Sequence, residues 1–422
     1  MNTLDNKQPR TIAVVGAGIV GAATALALAA EGHRVTVIDR GEVGASTSFG
    51  NAGGIVGGAV TPTATPGVIR SIPGYLFDRN GAAVLRPSYA FQALPWLLRF
   101  IAAGRPERVA SIAAALNPLV SNAVSAHHTL AGLSNARKRI QPVGWLKVYK
   151  SSTAFAKTAL ERELMTRHAA NFSVLSAGQV ADLEPTLNPD TYSCGLFQPD
   201  AGFVNYPMGL AQAYFEGAVQ RGAHYLQENV LEINPLSDGG VSVRTEQHNR
   251  RFDSVVIATG AWSRQFAAQL GDHVSLDTER GYHLSWAQTD GPLLTRPVGF
   301  PEKDCVMSPM HDGITVVSGD ELAGLDAAPD FRRIRALIPF VNHALPATRT
   351  QTVQREWMGR RPSTPDSMPV IGRSPHCKDV FYAFGHGHLG LTLSAITAQL
   401  IASLVSGGAS PFDLTPYRIN RF

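Results

Sequence analysis

The run TIAVVGAGIVGAATALALAAEGHRVTVIDR, residues 11–40, decides the fold. Thr11 to Val15 is apolar and β-branched, which predicts a short buried strand. Gly16-Ala17-Gly18-Ile19-Val20-Gly21 follows, then an Ala-rich helix from Ala22 to Ala30 and a stop at Glu31-Gly32. A second strand, Arg34 to Ile38, ends at Asp39, an acid 18 residues beyond Gly21. This is a βαβ unit carrying G-x-G-x-x-G, and each glycine has a mechanical task. Gly16 makes the tight turn, Gly18 lets backbone amides approach a pyrophosphate, and Gly21 lets helix and strand pack closely. The phosphates then sit at the positive end of the helix. Asp39 is placed to accept hydrogen bonds from the ribose hydroxyls. An ordinary Gly-rich αβ turn would need none of this register, so the unit reads as a dinucleotide site.

Working outward, 422 residues allow two domains or one large composite domain. A hydrophobic share of 44% and a charged share of 17% describe an ordinary globular protein. The net charge of +4 is small, and no basic cluster interleaved with aromatics supports nucleic-acid binding. Cys194, Cys305 and Cys377 are far apart, so neither a disulfide framework nor a metal site is expected. The polar first ten residues do not resemble a cleavable signal, and the apolar run 12–30 divides into strand and helix. A cytoplasmic location is expected, with peripheral contact on the inner face of the membrane as the variant.

Ser46 to Gly54 is dense in small and hydroxylic residues, and it follows the second strand directly. That position is the carboxyl edge of the sheet, where ligands bind. Residues 61–106 begin irregular and Pro-rich. They become apolar at Tyr89, Phe91, Leu94, Trp96, Leu97, Leu98, Phe100 and Ile101, with Arg99 and Arg105 beside them. Such a segment is ordinarily a core helix. The sharper alternative is a surface that touches a membrane or an electron-accepting partner. Helices are expected over 111–133 and 154–170. A buried strand, Phe252 to Ile257, runs into Ala258-Thr259-Gly260-Ala261-Trp262-Ser263 and predicts a return to the first sheet. Strands dominate 274–318, including Gly281 to Trp286. Another covers Gln351 to Met358 and is expected to end at Gly359-Arg360-Arg361-Pro362. Val380 to Phe384 leads into Gly385-His386-Gly387-His388-Leu389-Gly390-Leu391-Thr392 and a long apolar helix.

These pieces, in this order, resemble the D-amino-acid oxidase and dehydrogenase family of FAD enzymes, nearest its bacterial D-amino-acid dehydrogenase branch. The resemblance rests on GAGIVG with Asp39, STSFGNAGG, ATGAWS, GRRPSTPDSMPVIG and GHGHLGLT. It implies an α/β fold: a Rossmann-like, doubly wound FAD domain (1–80, 175–270, 350–422) and a β-rich α+β substrate domain (81–174, 271–349). Gly16, Gly18, Ile19, Val20, Gly21, Asp39 and Arg40 would hold the ADP half. Ser46, Thr47, Ser48, Asn51, Ala52, Gly53 and Gly54 would lie along the flavin. Val230 would sit near the adenine, and Thr259, Gly260 and Trp262 near the pyrophosphate. Arg361, Gly387, His388, Leu389, Gly390, Leu391 and Thr392 would complete the flavin end. No cysteine or histidine stands where sarcosine oxidases attach flavin, which implies non-covalent FAD.

The implied reaction is oxidative deamination of D-amino acids by hydride transfer, with electrons passed to a quinone or other non-oxygen acceptor. Negative charge then develops at the flavin N1–C2=O edge, and a helix N-terminus at 387–392 offers amides and a positive dipole there. The substrate carboxylate needs a cation or hydrogen-bond donors, and the candidates are Arg361, Tyr282, His283 and His388. The bland alternative for Arg361 is a structural pair with a carboxylate such as Asp366. Tyr282 and His283 are adjacent in a strand, so only one of them faces any given pocket. Two family anchors have no counterpart here. The arginine that follows a proline in glycine and D-amino-acid oxidases is met by Pro309-Met310, and the lysine after the last glycine motif of sarcosine oxidases by His388-Leu389. Secondary amines such as D-hydroxyproline or sarcosine are the alternative substrates. A helper flavoprotein subunit of a larger complex is the alternative of another class.

Overall fold

In the computed structural model, which describes residues 8–77, 83–287 and 294–422, the opening run forms the strand Thr11–Val15, the helix Ile19–Ala30 and the strand Arg34–Asp39. The helix starts three residues before the expected Ala22 because Gly18 serves as its N-cap and Gly21 lies inside its first turn. A Cβ on Gly21 would come within 1.9 Å of the Gly16 carbonyl oxygen, so only glycine permits this contact. Gly16 itself has φ +107°, and a Cβ there would lie 2.4 Å from the Ala258 carbonyl oxygen.

Six strands form the first sheet, in the order Val370–Arg373, Val380–Phe384, Ser254–Ile257, Thr11–Val15, Arg34–Asp39, His224–Gln227. All neighbours run parallel except the first pair. Central strands buried on both faces explain their unbroken apolar runs. The helices Ile19–Ala30, Pro207–Val219 and Gly390–Val405 cover one face in a core that includes Leu26, Tyr214 and Leu400. The other face is covered by a three-stranded antiparallel sheet and the helix Ser263–Gln269, through Ile233, Val243, Phe252 and Phe266. Both distant segments return to this sheet: Ser254–Ile257 beside Thr11–Val15, and Val380–Phe384 beside Ser254–Ile257.

The second, nine-stranded sheet runs Val353–Ser363, Asp277–Ala287, Gly313–Leu322, Cys305–Met310, Val298–Phe300, Trp145–Tyr149, Cys194–Gln198, Ser173–Ser176, with Ala83–Leu85 paired to Gly313–Leu322. It draws in Ser173–Ser176, Cys194–Gln198 and Val353–Ser363, which the sequence reading assigns mostly to the dinucleotide unit. Conversely, the helices Pro106–Ser121 and Ala123–Leu133 pack with Ile19–Ala30 and Gly390–Val405, through Leu116, Leu119 and Leu130. The strand expected to end at Gly359-Arg360-Arg361-Pro362 runs on to Ser363, because residues 359–363 stay paired with Gly281 through Asp277.

Candidate active site

A cavity of about 720 Å³ begins at the Gly16 turn, passes the Ser46–Ala52 loop and ends against the second sheet. At its first end the helix Ile19–Ala30 has no side-chain cap at Gly18. The Ser48 hydroxyl oxygen accepts from the Ile19 amide at 2.9 Å and fastens the loop to that helix end. Asp39 accepts from the Ala17 amide at 2.7 Å and the Gly41 amide at 2.9 Å. A carboxylate offers about four acceptor positions, so both oxygens keep capacity for ribose hydroxyls. Arg40 and Arg360 lie 4.6 and 5.7 Å from the centroid of the Trp262 ring. Ile19, Val20, Ser46, Asn51, Ala52, Val230, Thr259, Gly260 and Glu228 also line this part of the cavity.

The Ser46–Gly54 loop is shaped by two indoles. A Cβ on Gly50 would meet the Trp357 ring at 1.9 Å, and one on Gly54 would meet Trp145 at 2.5 Å. Thr47 donates to the Arg360 carbonyl at 3.0 Å, which ties the loop to the second sheet. Small residues here permit close packing. Gly21, Gly53, Gly54, Leu389 and Thr392 do not line the cavity. Gly53 (φ +83°) and Gly54 lead into a short pairing with Phe203. Thr392 donates to the Gly54 carbonyl at 3.1 Å and accepts from the Val56 amide at 3.3 Å, holding the C-terminal turn against the loop.

That turn, Gly387–Leu389, runs directly into the helix Gly390–Val405, and Gly387, His388, Gly390 and Leu391 line the cavity. Behind it lies His127, fully buried, with Nε2 2.8 Å from the Leu391 carbonyl oxygen and Nδ1 2.8 Å from the Tyr214 hydroxyl. A carbonyl only accepts, so Nε2 carries the proton and Nδ1 accepts from Tyr214. Burial lowers the His127 pKa to about 4 and keeps the ring neutral.

The second sheet supplies the charged wall. Register pairs Glu279 with Arg361, Gly281 with Gly359 and His283 with Trp357. Directly opposed residues share a face, so these six point the same way. Arg361 lies over Gly281, where a Cβ would come within 2.2 Å of its guanidinium. Its Nη1 donates to Asp320 at 2.6 Å and to the Gly319 carbonyl at 2.9 Å. Arg361 therefore pairs with a carboxylate of the wall, whereas Asp366 is held by Arg421. His388 Nε2 stands 3.3 Å from Glu279 and 3.6 Å from Asp320. Burial opposes protonation of His388, but those two carboxylates prevail and raise its pKa. Glu279 also accepts from the Ser363 hydroxyl at 2.5 Å. Burial would raise the Glu279 carboxyl, but the bonds from His388 and Ser363 and the charges of His388 and Arg361 together lower it.

Two candidates leave the site. Tyr282 sits on the opposite face, where its hydroxyl donates to Glu321 at 2.5 Å and its ring meets Phe331 edge-on. Strand alternation places it there, in a buried network with Arg86 and Arg333. His283 faces the cavity side but is stacked on Trp357 at 4.9 Å and covered by Phe49. Burial lowers its pKa to about 4, and it supports the indole rather than reaching the cavity. Glu279, Asp304, Asp320, Lys147, Trp145 and Trp357 belong to the site or its wall and carry no motif. Only Glu279 had a signal, since it alternates with Gly281 and His283.

The chain matches the family model described as FAD dependent oxidoreductase (DAO) over residues 11–404. It is 35% identical over 424 residues to a D-amino-acid oxidase of Bradyrhizobium diazoefficiens, covering 98% of this chain and 99% of the relative. Identity to a D-amino acid dehydrogenase of Vibrio vulnificus is 28%, covering 94% and 96%. Among solved structures, glycine oxidase from Geobacillus kaustophilus superposes with TM-score 0.78 at 22% identity, covering 98% and 99% of the two chains. L-proline dehydrogenase from P. horikoshii does so with TM-score 0.75 at 18% identity, covering 98% of each chain. At these identities the two structures share the fold.

Proposed function

The chain belongs to the DAO family of FAD-dependent oxidoreductases, and from that premise we propose that it oxidises D-amino acids to 2-oxo acids and ammonia, passing the electrons, as the name of its dehydrogenase relatives suggests, to a quinone or another non-oxygen acceptor. The observation that carries the reading is Arg361, a cation held flat over Gly281 at the cavity wall. Its Nη1 is spent on Asp320 and Gly319, which leaves the other edge of the fork for a substrate carboxylate. Bound FAD supplies the acceptor for the hydride that leaves Cα. The chain supplies the field: the uncapped helix end at Gly18 for the pyrophosphate, and the turn at Gly387–Leu391 for the flavin edge that becomes negative. Trp145 and Trp357 line the cavity and give it an apolar wall.

Anaerobic mixing of the yellow holoprotein with D- and L-alanine tests this directly. Bleaching by the D-enantiomer alone is expected. Reduction only by sarcosine or D-hydroxyproline would move the assignment to secondary amines, and no reduction by any amine would leave a helper subunit. A parallel assay with a dye acceptor and with air separates dehydrogenase from oxidase. Peroxide formed in air at the full turnover rate would overturn the non-oxygen acceptor.

The helix Ala90–Ala103 supports a membrane-held acceptor. Ala93, Trp96, Phe100 and Ala103 are buried, whereas Phe91, Leu94, Leu98 and Ile101 form an exposed stripe, with Phe91 88% exposed. Arg99, Arg105 and Arg108 flank it, so the matching surface is an anionic lipid bilayer. Trp96 donates to the Ser363 carbonyl, whose own side chain holds Glu279, so this face stands close behind the cavity wall. Vesicles containing anionic lipid should co-sediment the protein, and Leu98→Glu should abolish this; no co-sedimentation of the wild type removes the membrane reading.

A further inference from the structure

Three carboxylates, Glu279, Asp304 and Asp320, stand at the second-sheet end of the cavity, and the chain pairs two of them. Asp320 is paired with Arg361, and Glu279 with His388. Asp304 also lines the cavity, and no ion pair reaches it among the described residues. The two lysines nearby are engaged elsewhere: Lys147 binds Glu161 at 2.5 Å, and Lys303 lies 5.5 Å from the Phe340 ring centroid. Asp304 is further marked by its backbone, φ +47° and ψ +46°, at the end of the turn Pro301–Lys303. Left-handed conformations cost a non-glycine residue free energy and cluster at functional sites.

Resting on the amino-acid reading above, we propose that Asp304 receives the substrate's α-ammonium, first accepting its hydrogen bond and then its proton. Every amino-acid substrate brings one carboxylate and one ammonium, and the wall offers one available cation edge, on Arg361, and one unpaired anion, on Asp304. The balance is simple. R–CH(NH3+)–COO− gives a proton to the Asp304 carboxylate and becomes the neutral amine. The Cα–H bond then breaks with its electron pair leaving as hydride to oxidised FAD, and the nitrogen lone pair forms the C=N bond of the iminium product. The proton leaves Asp304 for solvent. A protonated amine has no lone pair to give, so the proton must move before or with the hydride. Burial, followed by the charge of Asp320, raises the Asp304 carboxyl to about 7, against the lowering influence of Arg361 and His388. A base poised near the working pH suits general base work.

The groups facing Asp304 are Asp320, Arg361 and His388, with Lys303 and Cys305 beside it in the chain. FAD-loaded Asp304→Asn, assayed with D-alanine from acid to alkaline pH, tests the assignment. At neutral pH kcat/KM should fall about 100-fold. It should recover as the pH rises and the free amine accumulates, and Asp304→Glu should restore much of the neutral-pH rate. Benzoate, a carboxylate without an amine, should perturb the flavin spectrum of Asp304→Asn at the wild-type concentration, since Arg361 is intact. An unchanged pH profile, or an equal loss at every pH together with lost benzoate binding, would overturn the role. If D-alanine does not reduce the wild type, the amino-acid reading itself fails and this role falls with it.

Discussion

Glycine 281 does for the substrate end what Gly16 does for the dinucleotide end: it leaves room for a group that a methyl would displace. An added Cβ would lie 2.2 Å from Arg361 Nη2 and 2.4 Å from its Cζ. Gly281→Ala should therefore fold, push the guanidinium off the wall and raise KM for the amino acid about tenfold, or about 1.4 kcal/mol, with a smaller change in kcat. Steady-state kinetics beside the flavin spectrum checks this; an unchanged KM would free Arg361 from the carboxylate role. Arg361→Lys keeps the charge and loses the planar fork, so kcat/KM should fall about 10- to 100-fold, the worth of a charge-assisted hydrogen bond. A lysine that performs equally well would show that a point charge suffices. Glu279 was legible beside these residues only through alternation. Asp304 and Asp320 carried no local signal, because their meaning lies in which cation stands opposite.

The turn and helix Gly387–Val405 form the element on which the flavin end depends, and its orientation is set from behind. His127 donates to the Leu391 carbonyl and accepts from Tyr214, so a neutral ring in one tautomer joins three helices. His127→Leu leaves the carbonyl and the hydroxyl without this buried partner and should cost about 2 kcal/mol of stability, read by urea unfolding. Its flavin spectrum should also shift, because the first turn of the helix is no longer held. The strand–turn–helix at 380–405 was readable from its pattern, but His127 was not, since nothing in 123–133 marks it out from its neighbour His128. The strand Val353–Ser363 shows the converse. Its Gly-Arg-Arg-Pro sequence reads as the end of a strand, yet cross-strand pairing with Asp277–Gly281 keeps it extended and aims Arg361 at the cavity.

Over the whole molecule, two sheets meet at one cavity, and two consequences follow for stability. Residues of both sheets line the cavity that would hold FAD, so the bound cofactor should stabilise the folded state by mass action, about 2.7 kcal/mol at 100 times its Kd. Adding FAD to the stripped protein should raise Tm with concentration, and Asp39→Ala should shift that curve to higher FAD. The second consequence is acid sensitivity. His127, His283 and His386 are buried, and burial lowers their pKa values to about 4, about 4 and about 3. The unfolded chain therefore binds more protons than the native one below the ordinary histidine value near 6.5. Their stabilising contribution is complete above that pH and is lost progressively as the pH falls towards 4. Urea midpoints should drop as the pH falls from about 6.5 to 5, and His127→Gln should flatten the fall; a midpoint constant over that range would contradict neutral burial.

Local patterns determined the cofactor unit of this protein. Gly16, Gly18, Gly21 and Asp39 are spaced by turn geometry and helix pitch, and those are properties of adjacent residues. The small-residue loop at 46–54 and the turn at 385–392 are of the same kind. The tertiary structure alone decided the substrate wall. Strands carrying residues 145, 279, 320 and 361, and the turn that ends at 304, meet there by hydrogen-bond register across the sheet, and a shift of one residue would turn Tyr282 inward and His283 outward. It also decided which unit each strand joins, moving Val353–Ser363 to the second sheet and the helices Pro106–Ser121 and Ala123–Leu133 to the first core. Ionic partners and shared faces depend on distance in space, and the linear chain does not record that distance.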